Sequence, residues 1–394
     1  MVTGRFKGLV LNDFRVQEIV RGTGRRMYTI VDPQCRVHDR ADAFLRTCAG
    51  GTDRTYAHLL VDHLRWLAYE GLVIEQITVQ DLHRYMGAVG AEFAGPYGLP
   101  WRAGKTAYGP ARLEGAAACL KKFYTHLGTR EVNTKLAADL TRRRLPTKAD
   151  RERMLLGHST SRVPSNPIAP TVSRRRHPKL APEGARAGLV AVLPKARDRM
   201  AVTWLADGGF RIGELCGLHL VDLHLREGAD CGQCRPAHVH ICHRELNPNR
   251  ARAKTKHPWK LVGATITGGL VRRASPAMVH TYFEYMSTEY PADVDHGMLL
   301  VQLHGRGSGQ PWSTTAARRV VRRAGRNLGL TAVHPHQFRH RFATEVLEAS
   351  GGNTVIARDA GGWSSATTVE QVYAHTDVDD PAFAAALDHV WGQR

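Results

Sequence analysis

Long apolar runs are missing from this 394-residue chain. A membrane-spanning helix needs about 18 consecutive apolar residues, and residues 188–193 are typical of the longest run here. The apolar stretch near the N-terminus, residues 8–11, is too short for the core of a signal peptide. We therefore expect neither a membrane partner nor secretion.

Cysteine and acidic residues are also scarce. Seven cysteines without the spacing of a disulfide framework indicate a reducing compartment, and we expect the bacterial cytoplasm, at the nucleoid. The 36 Asp and Glu are outnumbered by 55 Lys and Arg, which gives a net charge of +19. Of these basic residues 44 are Arg, whose guanidinium binds phosphate oxygens through paired hydrogen bonds. This balance favours a polyanion as partner over the alternative that the charge serves only solubility.

Periodicity and composition divide the chain into four segments. Residues 1–40 predict a β-containing arm with a strand at 27–31. Residues 41–140 predict a small helical domain, with helix starts at Thr52 and at a capping box over residues 78–81, and a third helix near 111–127 that carries Lys121 and Lys122. Residues 181–394 predict helices at 194–207 and 211–219, β-prone runs at 237–242 and 259–267, and then mostly helices. The predicted fold class is mainly α with a small antiparallel sheet, that is, α+β.

Residues 141–180 predict a basic linker between the two larger segments. They hold 11 Lys or Arg, two acidic residues and five prolines, a composition that does not build a core. Two arginine triplets lie near its ends, namely Arg142, Arg143 and Arg144, and Arg174, Arg175 and Arg176. The segment is either a solvated tether or a strap along DNA phosphates, and composition leaves both open.

Five short motifs follow one another in the last segment. An arginine begins a helix after a Gly-Gly turn, AKTK falls in a predicted β-hairpin, PHQFRHRFAT places His and Arg three residues apart on one helical face, and GGWSS precedes VYAH. Their ranges are 208–215, 253–256, 335–344, 361–365 and 372–375. Each motif alone is common, and the order of all five carries the signal.

In this order the motifs resemble those of the tyrosine recombinases, also called the phage integrase family. The resemblance covers residues 190–380, and more loosely the helices of 40–130, which match the family's SAM-like core-binding domain. Residues 335–344 are close to the family's P-H-x-L-R-H-x-F-A-T, with Phe338 in place of the usual Leu. Residues 247–254 are similar to a transposon-borne branch. By this resemblance the catalytic positions are Arg211, Lys254, His336, Arg339, Trp363 and the nucleophile Tyr373.

The resemblance implies a site-specific DNA recombinase that works through a covalent 3′-phosphotyrosyl intermediate. Two arginines would bind the non-bridging phosphate oxygens, and the phenol is a workable nucleophile because its pKa, near 10, lies far below that of an alcohol. Lys254 would protonate the leaving 5′ oxygen, and His336 would assist proton transfer at the tyrosine. No metal or other cofactor is needed for this chemistry, since the arginines supply the charge.

Three features of the sequence depart from the family pattern or leave alternatives open. Trp363 stands where the family usually has His, and we expect it to pack and to donate one indole N–H. The interval from Trp363 to Tyr373 is ten residues, one more than is common. Lys256 would share a strand face with Lys254, so either lysine can be the general acid, although the alignment favours Lys254.

A separate group of potential metal ligands begins just before the β-prone run 237–242 and continues through it. Cys231 and Cys234 have zinc-knuckle spacing, and His238 or His240 could complete a ligand set. Because one CxxC pair is present and alternating His and Cys also suit an ordinary strand, zinc and free thiols both stay open. Cys242 and His243 follow in the same run.

The implied partner is double-stranded DNA, held in a C-clamp between the helical and catalytic domains. The family works as a homo-tetramer on paired sites, and the sequence leaves open whether accessory proteins take part. Two alternatives stand beside recombination: a non-catalytic DNA-binding protein of the same fold, and a type IB topoisomerase with the same cleavage chemistry. The target site, the direction of reaction and the carrier element are not encoded in any recognisable motif.

Overall fold

The computed structural model describes residues 13–20, 22, 26–48, 51–90, 99–152, 158–170, 178–330 and 333–373. The chain divides into two compact units, Met1–Arg175 and Arg176–Arg394. The division falls inside the predicted linker, between Arg175 and Arg176. The second arginine triplet, residues 174–176, lies outside the described residues.

The first unit is a β-hairpin followed by helices. The hairpin strands are antiparallel, and the strand expected at residues 27–31 is confirmed as the second of them. The elements are β1 (Arg15–Val20), β2 (Arg26–Val31), α1 (Asp39–Leu45), α2 (Thr52–Glu70), α3 (Val79–Val89), α4 (Pro110–Gly128), α5 (Thr134–Thr141) and α6 (Lys148–Glu152).

Local signals in the sequence account for the ends of these helices. Helix α2 ends at Gly71, which adopts a left-handed conformation with φ 68° that glycine accepts without strain. Helix α3 begins with a capping box in which Thr78 and Asp81 each bond to the other's main-chain N–H. The predicted starts of both helices are therefore confirmed, and the buried faces of α2 and α4 build the core around Phe123 and Tyr124.

Residues 141–152 and 158–170 of the predicted linker pack against the helices of the first unit, although their composition predicts a segment that builds no core. Arg144 and Val163 exchange two main-chain hydrogen bonds of 3.0 and 2.9 Å. Val163 is buried and Ile168 joins the core of the helices. The apolar side chains Val163 and Ile168, together with this bridge, hold the described residues of this segment against the helices.

The second unit combines helices with a three-stranded and a two-stranded antiparallel sheet, in the orders β3-β4-β7 and β5-β6. Its elements are α7 (Ala185–Val192), α8 (Ala196–Asp207), α9 (Ile212–Leu215), β3 (Leu223–His224), β4 (His238–Ile241), β5 (Trp259–Val262), β6 (Thr265–Gly268), β7 (Leu270–Arg273), α10 (Pro276–Thr288), α11 (Thr314–Asn327), α12 (Pro335–Ala349), α13 (Thr354–Gly361) and α14 (Ala366–Val372). Helix α8 is central to the core, and its Trp204 donates an indole hydrogen bond of 3.0 Å to the carbonyl of Met278 on α10.

Two predicted elements have different boundaries in the structure. The helix expected over 211–219 stops at Leu215, because the main chain of Leu218 accepts a hydrogen bond from Leu299 and His219 bridges to Met298. The β-prone run 259–267 is a hairpin, since Gly263 turns the chain with φ 61°. Among the helices of the described ranges, none is long and apolar enough to span a membrane.

Candidate active site

Arg211 stands at the N-cap of α9, directly after the Gly-Gly turn. Its main-chain N–H donates to Glu214 over 2.9 Å, and its Nη1 donates to the same carboxylate over 2.5 Å. The side chain keeps 26% of its surface exposed, so the guanidinium is oriented by Glu214 and still open to solvent. Gly209 is required in the preceding turn, because with φ 56° an added Cβ would lie 2.4 Å from the ring of Phe342.

Arg339 projects from α12 into the interior and is only 1% exposed. Its Nη1 donates to the carbonyl of Gly209 over 2.7 Å and its Nη2 to the carbonyl of Gly361 over 2.6 Å. Arg272 of β7 makes a parallel pair of bonds, to Gly208 over 2.7 Å and to Gly361 over 2.6 Å. The two guanidiniums thus tie the turn before Arg211 to the segment that precedes Trp363.

Glu214 is the buried counter-ion of this arginine cluster. Its carboxylate is fully buried and lies 3.4 Å from Arg272 and 3.9 Å from Arg339, in addition to its bond with Arg211. Burial acts to raise the pKa of Glu214, but the positive charges of the three arginines outweigh it and hold this pKa below its ordinary value. Burial in turn lowers the pKa of Arg272 to about 10 and that of Arg339 to about 9.

Trp363 lies between Arg339 and Tyr373. The Arg339 guanidinium stacks 4.2 Å from the indole centroid, and the Tyr373 ring meets the indole edge-on with 5.5 Å between centroids. The packing expected for Trp363 is therefore present, whereas its role as an indole N–H donor stays a prediction. An added Cβ at Gly361 would lie 1.4 Å from the indole, so only glycine fits beneath the ring.

Tyr373 caps the end of α14 and is half-buried, with its hydroxyl 2.7 Å from Nδ1 of His340. Burial raises the pKa of Tyr373, while the charges of Arg339 and Arg211 act in the opposite direction. Burial, His336 and Arg339 lower the pKa of His340 to about 4, so its imidazole is neutral near pH 7. A neutral imidazole on the phenol can accept the proton that the tyrosine loses on attack.

His336 lies one helical turn before His340, and the two rings meet edge-on with 4.3 Å between centroids. Burial lowers the pKa of His336, and the positive charges of Arg339, Arg211 and Lys254 lower it further. His336 therefore belongs to the same cluster as the predicted arginines. The side chain that contacts the tyrosine hydroxyl, however, is that of His340, to which the sequence analysis gave no role.

Lys254 does not lie in a β-hairpin as predicted. Residues 251–258 form a connection without regular structure, and the β5-β6 hairpin begins after it at Trp259. The connection is fixed because Asn247 donates to Ala251 over 2.9 Å and His243 bonds to the carbonyl of Ala253 over 2.6 Å. Lys254 and Lys256 are both exposed, and the strand argument for a shared face no longer applies to them.

The residues predicted to bind DNA differ in their surroundings. Arg142, Arg143 and Lys122 are exposed, which suits phosphate contacts. Lys121 instead donates to the carbonyl of Ser165 over 2.5 Å, and Arg144 pairs with Asp150 over 2.6 Å. The last two side chains therefore order the linker segment itself.

A basic helix face was missed by the sequence analysis. Helix α11 buries Ala317, Val321 and Ala324 and presents on its other side five exposed arginines: Arg318, Arg319, Arg322, Arg323 and Arg326. Their spacing of three and four residues is visible in the sequence and could have identified the face. Arg272 and Glu214 were also missed, and a buried arginine on a four-residue strand has no comparable sequence signal.

One potential metal cluster occurs in the described part of the chain, and it is separate from these residues. It consists of His224, Cys231, His238 and His240. Cys234, the second cysteine of the predicted knuckle, is not part of it, and His224 was not among the ligands considered from the sequence.

Parts of this chain are similar to known proteins. Residues 260–379 match the model of the phage integrase family. Transposase A from transposon Tn554 of Staphylococcus aureus is 22% identical over 184 residues, which are 47% of this chain and 45% of that protein. Tyrosine recombinase XerC of Pseudomonas aeruginosa is 31% identical over 182 residues, 46% of this chain and 48% of that protein. The chain thus matches about half the length of these curated relatives.

Solved structures share the fold. The Tn1549 transposon integrase in complex with transposon right end DNA has a TM-score of 0.55 at 15% identity, covering 89% of this chain and 98% of that one. A lambda integrase dimer bound to a core site has a TM-score of 0.51 at 14% identity, covering 87% and 96%. These likenesses confirm the predicted α+β class and the predicted fold.

Proposed function

We propose that this chain, which contains a domain of the phage integrase family of tyrosine recombinases, is a site-specific DNA recombinase that cuts and rejoins strands through a 3′-phosphotyrosyl intermediate. The observation that carries the proposal is the hydrogen bond of 2.7 Å between Tyr373 and His340, beside the arginines grouped on Glu214. A nucleophile, a proton acceptor and fixed positive charge are therefore close together.

In the proposed cleavage step the phenolic oxygen of Tyr373 attacks a backbone phosphorus of double-stranded DNA. The O–P bond forms, the bond to the 5′ oxygen breaks, and the phenolic proton passes to His340. Lys254 supplies the proton that the leaving 5′ oxygen needs, and Lys256 is the alternative donor. Rejoining is the reverse reaction with the 5′ hydroxyl of another strand, so no energy-rich cofactor is consumed.

The positive charge in the site has two roles in this proposal. Arg211 is partly exposed and binds the non-bridging oxygens, where negative charge grows in the transition state. Arg339 and Arg272 are engaged with main-chain carbonyls, and they hold Gly361 and therefore the segment that leads to Tyr373. Arg339 stays a candidate phosphate ligand through its resemblance to the family motif, but its hydrogen bonds favour positioning.

Binding to the duplex is proposed to use the basic surfaces of both units. The exposed arginines of α11, together with Arg142, Arg143 and Lys122, offer guanidinium and ammonium groups to phosphates. The triplet 174–176 is included on its composition alone. Assembly as a homo-tetramer on paired sites, with or without accessory proteins, is part of the same proposal.

A suicide substrate tests the nucleophile. The substrate is a DNA duplex of a candidate site, nicked so that the cleaved strand diffuses away, and the covalent complex is counted by denaturing electrophoresis. Wild type should accumulate the complex, Tyr373→Phe should not, and Tyr69→Phe, which alters an exposed tyrosine, should behave as wild type. Covalent complex with Tyr373→Phe would refute the assignment. Product from paired sites, as opposed to relaxation of one supercoiled circle, separates recombinase from topoisomerase.

A further inference from the structure

Three histidines and one cysteine meet on the β3-β4 sheet of the second unit. His224 ends β3, His238 and His240 alternate along β4, and Cys231 lies in the connection between these strands. The antiparallel register places His224 opposite His238, and the two-residue period of a strand places His238 and His240 on one face. The ligand atoms of all four residues lie within 4.8 Å of one another.

Hydrogen bonds hold the rings of His238 and His240 in the orientation that metal-binding histidines adopt. Nδ1 of His238 lies 2.7 Å from the carbonyl of Pro236, and Nδ1 of His240 lies 2.7 Å from the carbonyl of Gly268. A carbonyl only accepts, so each Nδ1 carries the ring proton and each Nε2 keeps its lone pair. The Nε2 of His238 points at the Cys231 sulfur over 3.1 Å. A second nitrogen bonded to a carbonyl is what fixes the tautomer of metal-binding histidines.

The inward-facing nitrogens of His224 and His240 lack a hydrogen-bond partner among the described residues. Each is an Nε2 atom, and His240 is fully buried. Packing alone does not explain this, because the three rings lie with centroids 4.7 to 5.1 Å apart and yet none provides a proton to these nitrogens. A buried polar atom without a partner is costly, whereas a coordinated cation would satisfy both nitrogens.

We infer that His224, Cys231, His238 and His240 together bind one Zn²⁺ ion. Three imidazoles and a thiolate form a donor set that suits zinc and not magnesium or calcium. Tetrahedral zinc, with bonds of about 2.0–2.1 Å to nitrogen and about 2.3 Å to sulfur, spaces its ligand atoms roughly 3.3–3.6 Å apart. The observed spacing reaches this arrangement with small side-chain shifts. Four protein ligands close the coordination shell, so the ion is structural.

The ion would fix two parts of the second unit. It joins the connection that carries Cys231 to the β3-β4 sheet, and through the bond from His240 to Gly268 it also holds the β5-β6 hairpin. Residues 251–258, which include Lys254, lead directly into this hairpin. Binding replaces the thiol proton of Cys231 by the metal, and the proton is released to solvent.

Metal content of the full-length protein tests the site. The protein is stripped with a chelator, loaded with zinc, desalted and analysed by mass spectrometry. Wild type should retain about one zinc ion per chain. Cys231→Ser should lose most of it, while Cys234→Ser, the matched control from the same CxxC pair, should retain it. Wild type without stoichiometric zinc, or equal loss from both cysteine variants, would overturn the site.

Cobalt provides a second measurement that does not need a folded Cys231 variant. Co²⁺ added to the stripped wild-type protein should show the visible absorption of tetrahedral coordination and a thiolate charge-transfer band. His224→Ala, which removes a half-buried ligand, should weaken or shift these bands, and an octahedral spectrum in wild type would contradict the inference. Both readouts are independent of DNA cleavage, so they stand whether or not Tyr373 is a nucleophile.

Discussion

The hydroxyl of Tyr373 lies 2.7 Å from Nδ1 of His340. Its hydrogen-bond partner is therefore His340 and not His336, which stands one helical turn earlier. Motif resemblance assigns the proton-transfer role to His336, whereas the contact belongs to the next histidine on the same helix face. The two rings touch each other, so the pair can act as one unit in which His336 orients His340.

Substitution of His340 by Gln should lower the rate of covalent complex formation by about 100-fold, since a positioned general base contributes 10²–10⁴. His336→Gln should leave more activity, because His340 still contacts the phenol. Single-turnover cleavage of the suicide substrate measures both rates. If His336→Gln proves the more damaging of the two, the base is His336.

The same histidine predicts a dependence of stability on pH. Its pKa, near 6.5 in an unfolded chain, is lowered to about 4 by burial and by the facing charges of His336 and Arg339. As pH falls, His340 takes up a proton in the unfolded chain at a higher pH than in the folded protein. Its contribution to the free energy of unfolding is therefore fully present above about pH 6.5 and is lost by about pH 4. Urea unfolding across this window should show a steeper loss for wild type than for His340→Gln. Equal slopes would contradict the lowered pKa.

Replacement of the two motif arginines by lysine should have different consequences. Arg211→Lys can keep the ion pair with Glu214 but loses the planar fork, so cleavage should fall by about 10²–10³ with little change in stability. Arg339→Lys cannot reach both Gly209 and Gly361, and each charged hydrogen bond is worth about 1.5–3 kcal/mol. Urea unfolding should show destabilisation for Arg339→Lys alone. Arg358→Lys is the control, because the Arg358 side chain is partly exposed and pairs only with its neighbour Asp359 in the described ion pairs.

Lys254→Ala should slow cleavage of ordinary DNA and be rescued by a 5′-bridging phosphorothiolate. Sulfur leaves without protonation, so a general acid becomes dispensable. Lys256→Ala is the matched control, because it removes an exposed lysine from the same connection. If the phosphorothiolate rescues Lys256→Ala and not Lys254→Ala, the general acid is Lys256. If it rescues neither variant, Lys254 is a DNA contact.

The basic surfaces should be visible in the salt dependence of DNA binding. Neutralising five arginines, namely Arg142, Arg143 and those of residues 174–176, should lower affinity on every sequence and flatten log K against log[salt] by up to about 4.5 units, at ~0.9 per contact. Arg144 is left in place because its ion pair with Asp150 orders the segment. Arg319→Ala with Arg323→Ala should flatten the slope by about two units. Arg36→Ala, exposed and paired with Asp32, should leave the slope unchanged. An unaltered slope for the five-residue variant would make that segment a tether.

Short-range patterns predicted much of the fold. The capping box at Thr78 and the helical period of α2 depend on neighbouring residues, and both were predicted correctly. The prediction that the helix continues past Leu215 was wrong. The end of this helix depends on pairing with Met298–Leu299, a segment some 80 residues later. The sequence alone does not show that residues so far apart in the chain are in contact.

The candidate site shows the same division. Arg211, Arg339 and Tyr373 were assigned through their resemblance to family motifs, each of which is local in sequence. The proposed zinc ligand His224 is brought to its fellow ligands by the pairing of β3 with β4, and the contact of Arg272 with Glu214 joins β7 to α9. His224 precedes Cys231 by seven residues, and only the register of β3 against β4 shows that it faces His238.

Gly361 offers no side chain, yet its carbonyl receives both Arg272 and Arg339 and its bare Cα seats the indole of Trp363. Even the smallest addition at this position pushes the indole away from the Arg339 guanidinium and the Tyr373 ring together. In a saturation library selected for the proposed recombination, Gly361 should therefore tolerate as few replacements as Tyr373. A map of mutational tolerance would place a residue with no functional group among the most constrained positions of the chain.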